Sequence, residues 1–355
     1  MKRFNKLFLT ALISAAFFAS CSNDDNDNKG PRGDYDGGLF IVNEGNYLTP
    51  NGSISYLSDD LQIENNVFTL VNPGKVTGDT PLSISFNGDV AYIVVNGSNK
   101  IEVVNRFTFK SITTITTGIK NPRYIAFANG KGYITNWGDI AIKTDDYVAV
   151  LDLSSNAVTA TIPVVEGPEK IIENNGKLYV AHKGGGGQGN SLTVINAANN
   201  TVASNFVVGD VPSSLVKDNG TLYILCNGRP SYAAPETTGK IVKVSLSTNT
   251  VTSTLSFSGV THPDFLDIDN SKIYYTIGNS IYSMATNATA LPSTETFKAT
   301  EVSSLYGFAA KNGKLYVADA VNYQDPGTIY LYSLTGTVLN KYGVSILPNG
   351  FYFNN

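Results

Sequence analysis

The chain has 355 residues, 42% of them apolar and only 15% charged, with 20 Tyr, 17 Phe and 33 Gly. That charged fraction is well below the roughly 25% of an ordinary domain, and a net charge of −4 leaves no basic footprint for nucleic acid. Two His are too few for a His-rich metal site.

Residues 1–20 read as an export signal. Lys2, Arg3 and Lys6 give a positive start, and Leu7–Phe18 is an apolar run too short to span a membrane as a helix. The stretch Phe18-Ala19-Ser20-Cys21 places small residues before a lone Cys and resembles the lipobox of bacterial lipoproteins, which predicts Cys21 as the acylated N-terminus. An ordinary secretory signal is the other reading. Ser22–Asn28 is acidic and without apolar residues, so 21–36 is predicted to be a solvated tether. It also resembles the acidic export tag of Bacteroidetes surface lipoproteins. With Cys21 lipidated, Cys226 has no partner and reads as a small buried hydrophobe.

From residue 37 to 355 one unit recurs. Asn121–Asn136 reads as two short strands, Tyr124–Ala128 and Gly132–Thr135, joined by Asn129-Gly130, a pair that tolerates the positive φ of a tight hairpin. Similar pairs stand at Asn87-Gly88, Asn175-Gly176, Asn219-Gly220, Asn270-Ser271, Asn312-Gly313 and Asn349-Gly350. An aromatic lies four residues after most of these Asn: Tyr133, Tyr179, Tyr223, Tyr274, Tyr316 and Phe353. Tyr92 lies five after its Asn. A repeat of about 40–45 residues with four strands each is the signature of propeller blades. The predicted fold class is therefore all-β, a seven-bladed β-propeller with four-stranded blades. Blade one, residues 38–72, is predicted to supply three strands, Leu39–Val42, Ile54–Leu57 and Val67–Val71. Ile346–Phe353 carries a spare strand after its Asn-Gly turn, predicted to pair with Gly38–Val42 and close the ring.

With strands A to D running outward, the A–B turns are uniform, whereas the B–C loops vary widely in length and share a face with the D–A loops. Variation confined to one face marks the recognition side. Amides and aromatics dominate there, a surface suited to a bulky, polar, near-neutral small molecule. For Trp137, ligand contact and packing on a neighbouring loop are both open. So, for Arg123, are ligand contact and an ion pair with the next blade. His182, His262 and Glu169 are the sparse materials of a lyase or lactonase. Asp59-Asp60 and Asp145-Asp146 read as solvated acids rather than Ca²⁺ ligands. Gly184–Gly187 reads as a flexible loop rather than a phosphate cradle.

The blade segments NGKLYVAH, VAVLDLSSNAVTATIPV and NTVTSTLSF resemble YVTN/YncE-like β-propeller repeats. Together, GLFIVNEGNY…NGSISYL, AYIVVNGSNKIEVVN…FKSI and NPRYIAF resemble a narrower group, the Bacteroidetes surface lipoproteins of the DUF5074/BtuG type, over nearly all of 38–355. What the resemblance implies is a propeller on the outer face of the outer membrane that captures cobalamin (vitamin B12) or a related corrinoid and delivers it to a TonB-dependent outer-membrane transporter. Separately, the scarcity of catalytic constellations among the residues predicts no enzyme and no cofactor or metal site. The candidate contacts are Tyr47, Asp79, Asn96, Arg123, Trp137, Glu169, His182, Asn227, Arg229, His262, Tyr306 and Tyr323. A surface scaffold for protein or glycan, and a propeller hydrolase or lyase, are the alternatives.

Overall fold

The computed structural model describes residues 32–185 and 188–355. The export signal and Cys21 lie outside them, as does most of the tether. The described residues form seven four-stranded antiparallel sheets arranged as the blades of a propeller. Blades two to five and seven each run in chain order from an inner strand: Pro81–Asn87, Pro122–Ala128, Pro168–Asn174, Pro212–Asp218 and Leu305–Lys311. Blade six starts at Leu266–Asp269.

Blade one takes its inner strand from the far end of the chain. Pro348–Phe353 pairs antiparallel with Leu39–Asn43, matching Leu39 to Phe353 and Phe40 to Tyr352. This closure pairs the edge of Leu39–Asn43 that would otherwise be left open. It is locked below by Asn354, whose side chain donates to the Tyr35 and Arg106 carbonyls, while Arg106 Nε donates to Asn354 Oδ1 at 2.6 Å.

Seven apolar clusters fill the gaps between neighbouring blades. Phe40, Val42 and Ile54 of blade one meet Ile84, Ile93 and Val95 of blade two. Leu39 and Ile41, on the other face of the same strand, meet Ala318, Ile329 and Leu331 of blade seven. Because both faces are covered, central strands such as Val90–Val95 are apolar throughout rather than alternating. The recurrent Tyr crosses these gaps. Tyr133 OH donates to Ala197 O and Asn200 Oδ1 of the next blade, and Tyr179 OH to Leu246 O and Asn249 Oδ1.

Four expectations need correction. Val67–Val71 is a short α-helix, and the outer strand of blade one is only Ile63–Glu64. Val67 and Phe68 of the helix are buried, and Val71 packs on the same cluster, an i, i+1, i+4 pattern that suits one helical face and no strand. Asn349-Gly350 is not a turn but lies within the closing strand. In blade two the hairpin residues are Gly88-Asp89, because Asn87 pairs with Val90. That one-residue shift explains why Tyr92 lies five residues after its Asn. Finally, Tyr35 is 5% exposed and packs on Phe40, Tyr56 and Phe109, so the packed body includes part of the predicted tether.

Candidate functional site

The site begins with a proline. Pro81, Pro122, Pro168, Pro212 and Pro348 open five inner strands, each preceded by a residue of positive φ: Thr80, Asn121, Gly167, Val211 and Leu347. Such backbone is rare for a β-branched residue like Val211, at φ 57°. In every one of these blades the pairing register then slips directly after the proline, and it slips again after Leu305 in blade seven. A bulge leaves its extra residue unpaired and re-aims that side chain. The re-aimed residues are Leu82, Arg123, Glu169, Ser213, Tyr306 and Asn349, joined by Asp264, which follows Pro263. They form a ring around one end of the propeller axis, on the face of the B–C loops.

Two hydrogen-bonded groups occupy this ring. In the first, Arg123 grips Glu169 of the next blade with Nε to Oε2 and Nη2 to Oε1, both 2.8 Å, and Lys183 Nζ adds a contact to Oε1 at 3.1 Å. Burial alone would raise the Glu169 pKa, but Arg123 and Lys183 overcome it and bring it down to about 2. Trp137 walls this group. Its indole N–H donates to Pro168 O at 3.0 Å, and the Arg123 guanidinium lies 4.2 Å from its ring centre.

In the second group, Glu44 accepts from Asn349 Nδ2 at 2.8 Å and from Tyr306 OH at 3.2 Å. Burial raises the pKa of Glu44. It also raises that of Tyr306, helped by the Glu44 charge. Tyr323 stands edge-on to Tyr306 at 5.6 Å and accepts from Ser304 Oγ.

Other candidate residues sit apart from the ring or serve the frame. Asn96 Nδ2 donates to Pro122 O at 3.1 Å and Asn227 Nδ2 to Pro263 O at 2.6 Å, so both tie the end of one blade to the first proline of the next. Trp137 makes the same kind of tie. Asp79 is buried and accepts from Thr80 Oγ1. His182 is 1% exposed, with Nε2 on Thr193 Oγ1 at 2.8 Å. Burial pushes its pKa down to about 4, so it is neutral at pH 7. Arg229 contacts Asp210 at 3.3 Å, and His262 bridges Asn227 O and Glu236. Tyr47 stands free at the tip of a blade-one loop, 77% exposed.

The loop face also carries exposed apolar side chains in odd-numbered blades: Tyr47 and Leu48, Ile140 and Ile142, Tyr232, and Tyr323. Ile140 and Ile142, with Trp137, Lys143 and Glu166, line a cleft of about 400 Å³. A second cavity of about 380 Å³ lies on the axis and is lined in part by the ring itself, through Glu169, Ser213, Asp264 and Asn349. Among the described residues no group of three or more His, Cys, Asp or Glu is placed to hold a metal ion.

Reasoning from loops did not single out Asn349, Ser213, Glu44 or Lys183 as site residues. The signal that finds most of the ring is positional: the residue after the proline that opens five of the inner strands.

The fold is shared with solved structures at low identity. A quinonprotein alcohol dehydrogenase-like protein from Bacteroides thetaiotaomicron is 17% identical with a TM-score of 0.69, covering 90% of this chain and 79% of that one. Kuenenia stuttgartiensis hydrazine synthase is 14% identical with a TM-score of 0.59, covering 78% and 92%. BamB from Moraxella catarrhalis is 11% identical with a TM-score of 0.54, covering 87% and 84%. At such identities the likeness shows the propeller and no activity. No curated protein matches the sequence. Residues 37–346 match the family described as a domain of unknown function, DUF5074, and the chain belongs to it.

Proposed function

We propose that this propeller is a binding protein for a bulky, polar small molecule, cobalamin or a related corrinoid. In this reading it is anchored to the outer face of the outer membrane through Cys21 and passes its ligand to a TonB-dependent outer-membrane transporter. The observation that carries the reading is a rim of exposed apolar side chains, Tyr47, Leu48, Ile140, Ile142, Tyr232 and Tyr323, around a polar ring on one face. A broad, flat ligand with amide-bearing edges takes apolar contact from the rim and hydrogen bonds from the ring. The Arg123–Glu169–Lys183 and Glu44–Tyr306–Asn349 groups are already bonded within themselves, so little side-chain ordering opposes capture. Catalysis finds less support: one histidine is buried and neutral, and the other is tied between Asn227 and Glu236.

Titration calorimetry of the protein with cyanocobalamin tests this. The expected result is a saturable heat at one equivalent, weakened when Tyr47 and Tyr323 are both replaced by Ala. No heat at micromolar protein overturns it.

A further inference from the structure

Besides the ring's paired Glu169 and Lys183, the axial cavity holds charges that the fold does not neutralise against each other. Lys170, next to Glu169 on the inner strand of blade four, lines it with its ammonium 3.9 Å from the Tyr124 ring centre. Among the described residues no carboxylate lies within ion-pair distance of that ammonium, because Glu169 is taken by Arg123 and Lys183. Two blades further round, Asp264 and Asp267 line the same cavity. Asp264 accepts from the Gly278 N–H at 3.0 Å, and Asp267 accepts from the Ala310 and Ile268 N–H groups at 2.9 and 2.8 Å. Neither carboxylate has a Lys or Arg within ion-pair distance among the described residues, and burial raises the pKa of both.

Separated charges in a partly buried cavity are costly unless something joins them. The same lining supplies apolar surface from Val216, Phe308 and Tyr352, beside the polar Ser213, Ser214 and Asn349. About 380 Å³ is within the size of small-molecule pockets.

We propose that the axial cavity binds a compact zwitterion, an α-amino acid with an apolar side chain. Its carboxylate faces Lys170 and its ammonium faces Asp264 and Asp267. Its side chain lies on Val216, Phe308 and Tyr352. The site uses none of the apolar rim, though it shares Glu169, Ser213, Asp264 and Asn349 with the ring, and it does not depend on the corrinoid reading.

Calorimetry and thermal-midpoint shifts with L-leucine and L-phenylalanine test it on the full chain. Controls are 3-methylbutylamine and 4-methylpentanoate, each of which lacks one of leucine's charges. Expected are a saturable isotherm with at least one of the two amino acids, and loss of about tenfold or more in affinity for either control, as for a lost charge-assisted hydrogen bond. Lys170→Met weakens the amino acid by a similar factor while far-UV circular dichroism is unchanged. If that variant fails to fold, Asp267→Asn is expected to weaken binding in the same way. Three results overturn the proposal: binding of neither amino acid, which leaves a water-filled channel; equal binding of a singly charged control; or full affinity in a folded Lys170→Met or Asp267→Asn protein.

Discussion

Arg123 and Glu169 illustrate how one residue serves frame and site together. Both side chains are nearly buried, at 12% and 5% exposure, and a buried charge that loses its partner is far more costly than the pair is favourable. Arg123→Met therefore strands a carboxylate that retains only Lys183, and is expected to lose about 3 kcal/mol in urea unfolding. Arg123→Met with Glu169→Leu removes the stranded charge and is expected to regain most of that loss. Equal stability of the single and double variants would show that the pair does not hold blades three and four together. The same comparison separates stability from recognition, since the double variant keeps the apolar rim.

At the level of the element, the closing strand matters most. Pro348–Phe353 contributes one whole inner strand to blade one, and Asn349 brings the ring's contact to Glu44. Removing residues 348–355 exposes the edge of Leu39–Asn43 and opens the apolar gap between blades one and seven. The truncated chain is expected to aggregate or to lose its single cooperative unfolding transition. A milder probe is Arg106→Ala. It removes the bonds from Nε to Asn354 and from Nη2 to the Asn355 carbonyl at 2.9 Å. About 1–3 kcal/mol of destabilisation follows by thermal or urea melts, and an unchanged midpoint would mean the latch carries no load. The proline-led bulges at the other end of the inner strands show why element-level reading of sequence reaches only so far. A repeated proline is visible, but a slip in register arises only when two strands pair.

For the molecule as a whole, the buried carboxyls set an unusual pH response. Glu169 is depressed, so its contribution is present above the ordinary carboxylate range and is lost as pH falls through about 2. Asp146 and Asp267 are raised by burial, each to about 6. Glu44 and Asp264 are raised too. For a raised acid the folded state binds more protons than the unfolded chain, so stability falls as pH climbs from about 4 to 6. His182, lowered to about 4, acts in the opposite sense over the same interval but is one group against four. The thermal midpoint is expected to be higher at pH 5 than at pH 7 and to drop again below pH 4. A midpoint that rises steadily from pH 4 to 7 contradicts the assignment.

What the chain alone determined is the local and periodic part of this protein. Asn-Gly pairs at a regular interval, apolar strands between them and an aromatic at a constant offset specify hairpins, a blade repeat and a closing strand. These depend on backbone preference and on side chains a few residues apart. The site is another matter. Tertiary structure decided that Asn96, Asn227 and Trp137 reach carbonyls of the adjoining blade, that His182 is sealed inside, and that Glu44 meets Tyr306 and Asn349 from opposite ends of the chain. Val67–Val71 likewise became a helix because its buried side chains had a cluster to fill. A polar loop residue reads the same in sequence whether its hydrogen bonds go to solvent, to a ligand or to the next blade. Only the closing of the ring settles which partner comes within reach.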